Sequence, residues 1–430
     1  MHGFLTSSIG VTCAAALALP VTAAPATATA AGAAPASAPA GAYVPGSTQS
    51  LPLTPLAGDR APTAPGTAEQ GVTRRGTRHF SLVGVVWDDP ATALHGRVQV
   101  RTRATATGAW SAWQDLDTHT ADHAADPGTA ESASGRVRGA TAPLWVGESN
   151  GVEVRVRAAD ERGGATSPLP TGLRLELVDP GKGTPPRPRT DPAAVGRPRA
   201  TETPALSRTR TVSELLALGV LTERQRAEPY VGARPGITTR RGWGADEKLR
   251  RKKPVYTKKV KAAFVHHSAT GNNYRCSQAP SVIRGIHRYH VKSMGWRDIG
   301  YNFLVDKCGK IYEGRAGGVT KPVLGAHTMG FNSNSMGIAV LGTYSSKKPS
   351  SAAVKAVARL TAWKLGLAGM NPRGKTYLKS GGGNLYRKGK NVRLNVISGH
   401  RDGFATSCPG KQLYRKLGTA RSSAAKYQGR

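Results

Sequence analysis

Ala262-Ala263-Phe264-Val265-His266-His267-Ser268 is a short apolar run that closes on two imidazoles. A run of this length reads as a buried strand. Neighbouring strand residues face opposite ways, so only one of His266 and His267 can point into a given site. Similar runs recur at 301–305 and 337–342, separated by helical patterns: Val282, Ile286 and Tyr289 share one face, and Val354, Val357, Ala358, Thr361 and Leu365 share another. Strands interleaved with helices predict a mixed α/β domain, placed at 236–424. Ile397-Ser398-Gly399-His400 is a further apolar strand ending in His, and Cys408 follows eight residues later.

Two His and a thiolate match the three protein ligands of a catalytic zinc site, whose fourth position is kept for water. The spacing forms no compact motif such as HExxH. A His at a strand end is also a common structural feature, so spacing alone leaves both readings open.

Upstream the texture changes. Val98 and Val100, then Val152, Val154 and Val156, then Leu173, Leu175 and Leu177 alternate with polar residues, which predicts half-buried strands in an all-β, sandwich-like domain at 77–180. Trp87, Trp110, Trp113 and Trp145 are read as core or rim residues, with sugar platforms as the rival reading. A Pro- and Arg-rich linker follows at 181–235, carrying one short helical pattern at 213–225. The Ala/Pro/Thr-rich stretch 29–76 reads as an unstructured leader. Residues 1–28 hold an apolar run, Val11 to Val21, followed by small residues, the pattern of an export signal, although no Lys or Arg precedes it. That run is well short of the ~20 residues a membrane span needs.

The net charge of +35 is concentrated: from Gly236 onward there are 38 Lys and Arg against 6 Asp and Glu. Such a field favours polyanions. No nucleic-acid-binding motif accompanies it, so anionic wall polymers are the expected partners and nucleic acid is not. The basic segments 251–261 and 382–390 are candidate contacts. Of four Cys, Cys13 lies in the export segment, leaving Cys276, Cys308 and Cys408. Three pairings are possible. Cys408 is the candidate for a thiolate because it precedes Pro409-Gly410 and an apparent helix start.

Six stretches then occur in one order: RRGWGADE from Arg240, FVHHSAT from Phe264, GWRDIGYNFLVD from Gly295, IYEGR from Ile311, GAHTMGFN from Gly325 and GHRDGFATSCPG from Gly399. Together they resemble the peptidoglycan recognition protein and type 2 N-acetylmuramoyl-L-alanine amidase family. The resemblance implies that His266, His400 and Cys408 are zinc ligands, with His266 the inward member of its pair. It puts Tyr301 and Thr406 beside the reacting groups as catalytic residues, and leaves the proton donor to the leaving amine open. Presence of the Cys implies turnover rather than recognition alone.

The implied activity is hydrolysis of the amide between N-acetylmuramic acid and L-alanine of peptidoglycan, by a secreted, wall-associated monomer. Gly295-Trp296 implies a preference for diaminopimelate-type stems, with Arg315 receiving the extra carboxylate. His327 and His290 are expected on the groove wall or in structural roles. Cys276 and Cys308, left over by the zinc assignment, are implied to form a disulfide.

Overall fold

The computed structural model describes residues 43–56, 69–118, 123–159, 167–183, 200–219 and 221–430. The stretch read as an export signal and much of the stretch read as a leader lie outside them. The first domain is built from β1 (Ser47–Pro52), β2 (Thr54–Pro55), β3 (Glu69–Trp87), β4 (Gly96–Ala104), β5 (Gln114–Leu116), β6 (Gly139–Ala140), β7 (Leu144–Ala158) and β8 (Arg174–Asp179). These pair antiparallel along the path β1-β8-β3-β7-β4-β5, with β2 and β6 added to β3. The alternation read from the sequence sets the interior: Val98, Val100, Val152, Val154, Val156, Leu173, Leu175 and Leu177 enclose one core with Phe80, Val83, Val85 and Trp87.

The domain begins earlier than position 77. Ser47–Pro52 pairs residue by residue with β8, and β3 starts at Glu69, so backbone pairing supplies order that composition did not signal. Of the tryptophans, Trp87 is core and Trp145 is buried where the two domains meet. Trp110 and Trp113 lie half-buried at the rim under the guanidinium groups of Arg74, Arg101 and Arg155.

The region read as a linker is partly structured. β9 (Glu202–Thr203) pairs with β10 (Ile237–Thr238), α1 (Arg208–Ala217) is capped by Ser207, and α2 (Glu223–Ala227) follows. The helix thus starts before 213 and breaks before 225. Leu215 and Leu221 join the second domain's core, which attaches this segment to that domain.

The second domain adds β11 (Ala262–His267), α3 (Ala279–Arg288), β12 (Phe303–Val305), β13 (Ile311–Glu313), β14 (Ser335–Val340), α4 (Ser351–Gly366), a hairpin of β15 (Lys375–Lys379) and β16 (Asn391–Asn395), β17 (Ile397–Gly399), α5 (Lys411–Tyr414) and α6 (Leu417–Gln428). Its mixed sheet runs β17-β11-β14-β12-β13-β10-β9, with β17, β11, β14 and β12 parallel. Ala263 and Val265 face α4 and α6 in one core. Leu304, Tyr312 and Ala339 face α3 in another. The disulfide Cys276–Cys308 joins the approach to α3 to the loop after β12. No helix among the described residues is long and apolar enough to cross a membrane.

The two domains share a core. Phe80 to Trp87 is buried throughout, so β3 is covered on both faces. Its second face, through Leu82 and Val86, packs with Val178 and Trp145 against Ile283, Ile286, Tyr289 and Met294. Gly84 makes this approach possible: a Cβ there would lie 2.3 Å from the Tyr289 hydroxyl, which hydrogen-bonds to the Thr141 carbonyl at 3.1 Å.

Candidate metal centre

Parallel pairing of β11 with β17 sets Val265 opposite Gly399, so His266 and His400 leave the sheet side by side at its carboxyl edge. That edge is where ligands bind in open parallel sheets. The imidazole centroids stand 4.4 Å apart. Alternation sends the neighbouring His267 the other way, where its Nδ1 accepts from the Tyr344 amide at 3.2 Å. After His400 the chain turns through a single 3-10 turn and returns, with the Arg401 amide bonded to the Cys408 carbonyl at 3.1 Å. This brings Cys408 Sγ to 3.8 Å from His266 Nδ1. The helix expected to polarise Cys408 is only the four-residue α5, too short to contribute much dipole. A metal ion at this cluster would be the stronger reason for a thiolate here.

A chain of hydrogen bonds fixes which nitrogen of His266 is free to ligate. The Ser335 hydroxyl donates to the Phe331 carbonyl at 2.5 Å, so its oxygen accepts from His327 Nε2 at 3.4 Å. His327 Nδ1 is then an acceptor for the Thr328 hydroxyl at 3.0 Å. Thr328 Oγ1 in turn accepts from His266 Nε2 at 3.4 Å. The lone pair of His266 therefore sits on Nδ1, the atom facing Cys408. Burial, reinforced by the neighbouring imidazoles, pushes both rings well below the ordinary histidine range and keeps them neutral.

Of the two roles expected for His327, groove wall or structural, its full burial fits the second: it acts behind His266. Gly337 admits it, since a Cβ there would lie 2.4 Å from the His327 ring. His290 is also buried, tilted against Trp296 with its Nδ1 accepting from the Gly300 amide at 3.1 Å.

Tyr301 lies beside the cluster, its ring 5.5 Å from His266. Thr406 lines the same cavity, and its Oγ1 accepts from the Cys408 amide at 3.1 Å, leaving its proton to donate elsewhere. Trp296 and Arg315 form the neighbouring wall. Both are buried, because a segment of the first domain lies over them. Gly295 has a positive φ of 79° and meets the Arg136 carbonyl from that segment. Arg315 grips the Glu131 carboxylate with both terminal nitrogens, at 2.8 and 2.9 Å.

One member of the cluster had no forecast in the sequence: His123, from the first domain. The ligand atoms of His123, His266, His400 and Cys408 all lie within 4.8 Å of one another. A lone His in Ala121-Asp122-His123-Ala124-Ala125-Asp126 carries no periodicity and no motif. The readable signal was indirect: the stretch Phe80 to Trp87 is apolar apart from Ser81 and Gly84 and does not alternate with polar residues, the pattern of a strand covered on both faces.

The donor set fits zinc. Bond lengths of about 2.0 Å to nitrogen and 2.3 Å to sulfur in a tetrahedron give edges of about 3.3 Å between nitrogens and about 3.5 Å between nitrogen and sulfur. His266 Nδ1 to His123 Nε2 is 3.2 Å, and Cys408 Sγ stands 3.7 Å from His123 Nε2 and 3.8 Å from His266 Nδ1.

A buried His/Cys cluster at the carboxyl edge of a mixed sheet, with a Tyr alongside, defines a metal-hydrolase type of centre. Residues 256–411 match the N-acetylmuramoyl-L-alanine amidase family, and residues 29–212 match the Rv3811 N-terminal galactose-binding domain-like family. Peptidoglycan-recognition protein SC2 of Drosophila simulans is 32% identical over 159 residues, 36% of this chain and 72% of that protein. Peptidoglycan-recognition protein 1 of Holotrichia diomphalia is 32% identical over 187 residues, 43% of this chain and 79% of that protein. The human N-acetylmuramoyl-L-alanine amidase is 29% identical over 212 residues, 48% of this chain and 32% of that protein. The chain belongs to the peptidoglycan recognition protein and N-acetylmuramoyl-L-alanine amidase family, as an amidase member joined to a galactose-binding-like domain.

Proposed function

We propose that this protein is exported and uses zinc to hydrolyse the amide between N-acetylmuramic acid and L-alanine in peptidoglycan with diaminopimelate-type stems. The carrying observation is the convergence of His266 Nδ1, the His400 ring and Cys408 Sγ at one sheet edge, with the His266 lone pair directed inward by the Thr328–His327–Ser335 relay. When bound, zinc supplies Lewis-acid polarisation of the carbonyl and activation of water at neutral pH. The chain's own residues do the rest. The Tyr301 hydroxyl donates to the oxyanion that forms as the amide carbonyl is attacked. The Thr406 hydroxyl offers a second neutral donor, without the positive charge a Lys would bring.

Support for the stem type comes from Arg315, whose guanidinium holds a carboxylate in a two-point grip beside Trp296. The disulfide suits an oxidising compartment, in keeping with the apolar run at Val11 to Val21. Lys252, Lys253, Lys258 and Lys259, with Arg387, Lys388 and Lys390, are exposed and free to meet anionic wall polymers. We read the protein as a monomer.

The test is release of peptides with a new N-terminal Ala from purified peptidoglycan, with chelator, with zinc restored, and in a His400→Ala variant. Release should stop with chelator, return with zinc and be absent in the variant. Release indifferent to chelator, or undiminished in the variant, overturns the zinc reading. Equal cleavage of lysine-type and diaminopimelate-type muropeptides overturns the stem preference.

A further inference from the structure

The first domain reaches the metal cluster with one continuous segment, 123–138, laid along the groove beside it. His123 Nε2 stands 3.2 Å from His266 Nδ1 and 3.7 Å from Cys408 Sγ. The Ala124 carbonyl accepts from Asn332 Nδ2 at 2.8 Å, and Asp126 Oδ1 accepts from the Gly330 amide at 2.8 Å and Asn332 Nδ2 at 2.6 Å. Glu131 takes the Arg315 fork and the Arg297 amide. The Arg138 amide closes the segment on the Met294 carbonyl at 3.2 Å. Beside Tyr301, Thr406 and Cys408, a cavity of about 20 Å³ is left, which holds a water and no more.

Two features separate this from ordinary packing between domains. The segment presents carbonyl and carboxylate oxygens to groove donors, the groups a stem peptide would itself present. It also ends on an imidazole at the position a catalytic site keeps open. A zinc site with four protein ligands has the closed form of a structural site. The apolar contact of Leu82 and Val86 with Ile283 and Ile286 extends beyond the segment, from which Ala125 and Val137 pack against the same core.

We propose that the first domain is a built-in inhibitor: His123 is a fourth metal ligand, and segment 123–138 occupies the peptidoglycan groove, with Glu131 standing in for the stem carboxylate on Arg315. This rests on the zinc amidase reading above. Wall substrate and segment compete for the same atoms, so apparent activity is reduced by the fraction of chains in which the segment is seated. Displacing it opens the fourth position and the groove together.

The full-length chain, wild type and His123→Ala, is loaded with cobalt(II) in place of zinc and titrated with azide. The wild-type visible spectrum should be indifferent to azide, and the variant spectrum should shift as azide takes the vacated position. In the zinc forms, peptidoglycan turnover should rise on the order of tenfold or more in His123→Ala. A second arm avoids both metal and turnover: with chelator present, Glu131→Gln should sediment with insoluble peptidoglycan several-fold more than wild type. Azide binding equally to both cobalt forms, with equal turnover, overturns the fourth ligand and leaves the amidase reading standing. Cobalt taken up by neither chain overturns both the zinc reading and the ligand assignment. Equal sedimentation overturns the groove plug.

Discussion

Glu131 and Arg315 belong to different domains and face each other as a buried two-point ion pair, at 2.8 and 2.9 Å. Burial works to raise the Glu131 carboxyl, but the Arg315 charge and hydrogen bonds outweigh it and hold the carboxyl below its usual range. A carboxyl depressed on folding stabilises above its unfolded value, near 4.3, and that contribution is lost as pH falls through the lower folded value. Glu131→Gln should therefore lower the melting temperature at pH 7, where loss of one partner of a buried pair costs about 3 kcal/mol. The gap between variant and wild type should shrink as pH drops below about 4. Calorimetry across that range checks it; a gap that widens in acid would refute the assignment.

The disulfide makes a prediction independent of the metal. Cys276 and Cys308 are 32 residues apart, and closing a loop of that size stabilises by roughly 3–4 kcal/mol on chain-entropy grounds. Cys276→Ser with Cys308→Ser should melt on the order of 10 °C lower. Metal content should be unchanged, because neither sulfur belongs to the cluster. Free thiols at both Cys276 and Cys308 in the purified protein, seen by mass spectrometry, would contradict the pairing.

Tyr301→Phe removes one hydroxyl and leaves the ring that packs beside His266. Loss of a single oxyanion donor costs about 10²–10³ in kcat. We expect a fall of that order, with metal content and peptidoglycan binding retained. Full turnover would take Tyr301 out of the mechanism.

Much of this molecule could be read before its structure. Val152, Val154 and Val156 announced a strand with one face in a core, and two apolar runs ending in His announced neighbouring strands of a sheet. Local periodicity carries such information because it reflects which face is buried. What stayed hidden depends on docking. His123, Asp126 and Glu131 sit in an Asp- and Ala-rich segment, and their partners lie 143, 206 and 184 residues away. No local pattern encodes pairings of that range. β1 was missed for a related reason: Ser47–Pro52 is ordered by the backbone of β8, and its own composition is that of a linker.

The role of His327 was equally out of reach, since it depends on directions of donation and not on residue types. The relay from Ser335 through His327 and Thr328 to His266 works only if His327 Nδ1 accepts and Nε2 donates. His327→Phe keeps a ring of similar size under Gly337 and removes both functions. Thr328 then loses its acceptor and can turn its proton toward His266 Nε2, so the His266 proton is no longer confined to that nitrogen. Outer-shell partners of a ligating His are typically worth 10–100-fold in metal affinity. Zinc affinity measured by competition with a chromogenic chelator should fall by a factor in that range, with the secondary structure intact by circular dichroism. His327→Gln, which can still accept from Thr328 and donate to Ser335, should recover part of the loss. If His327→Phe binds zinc as tightly as wild type, the relay is not what orients His266.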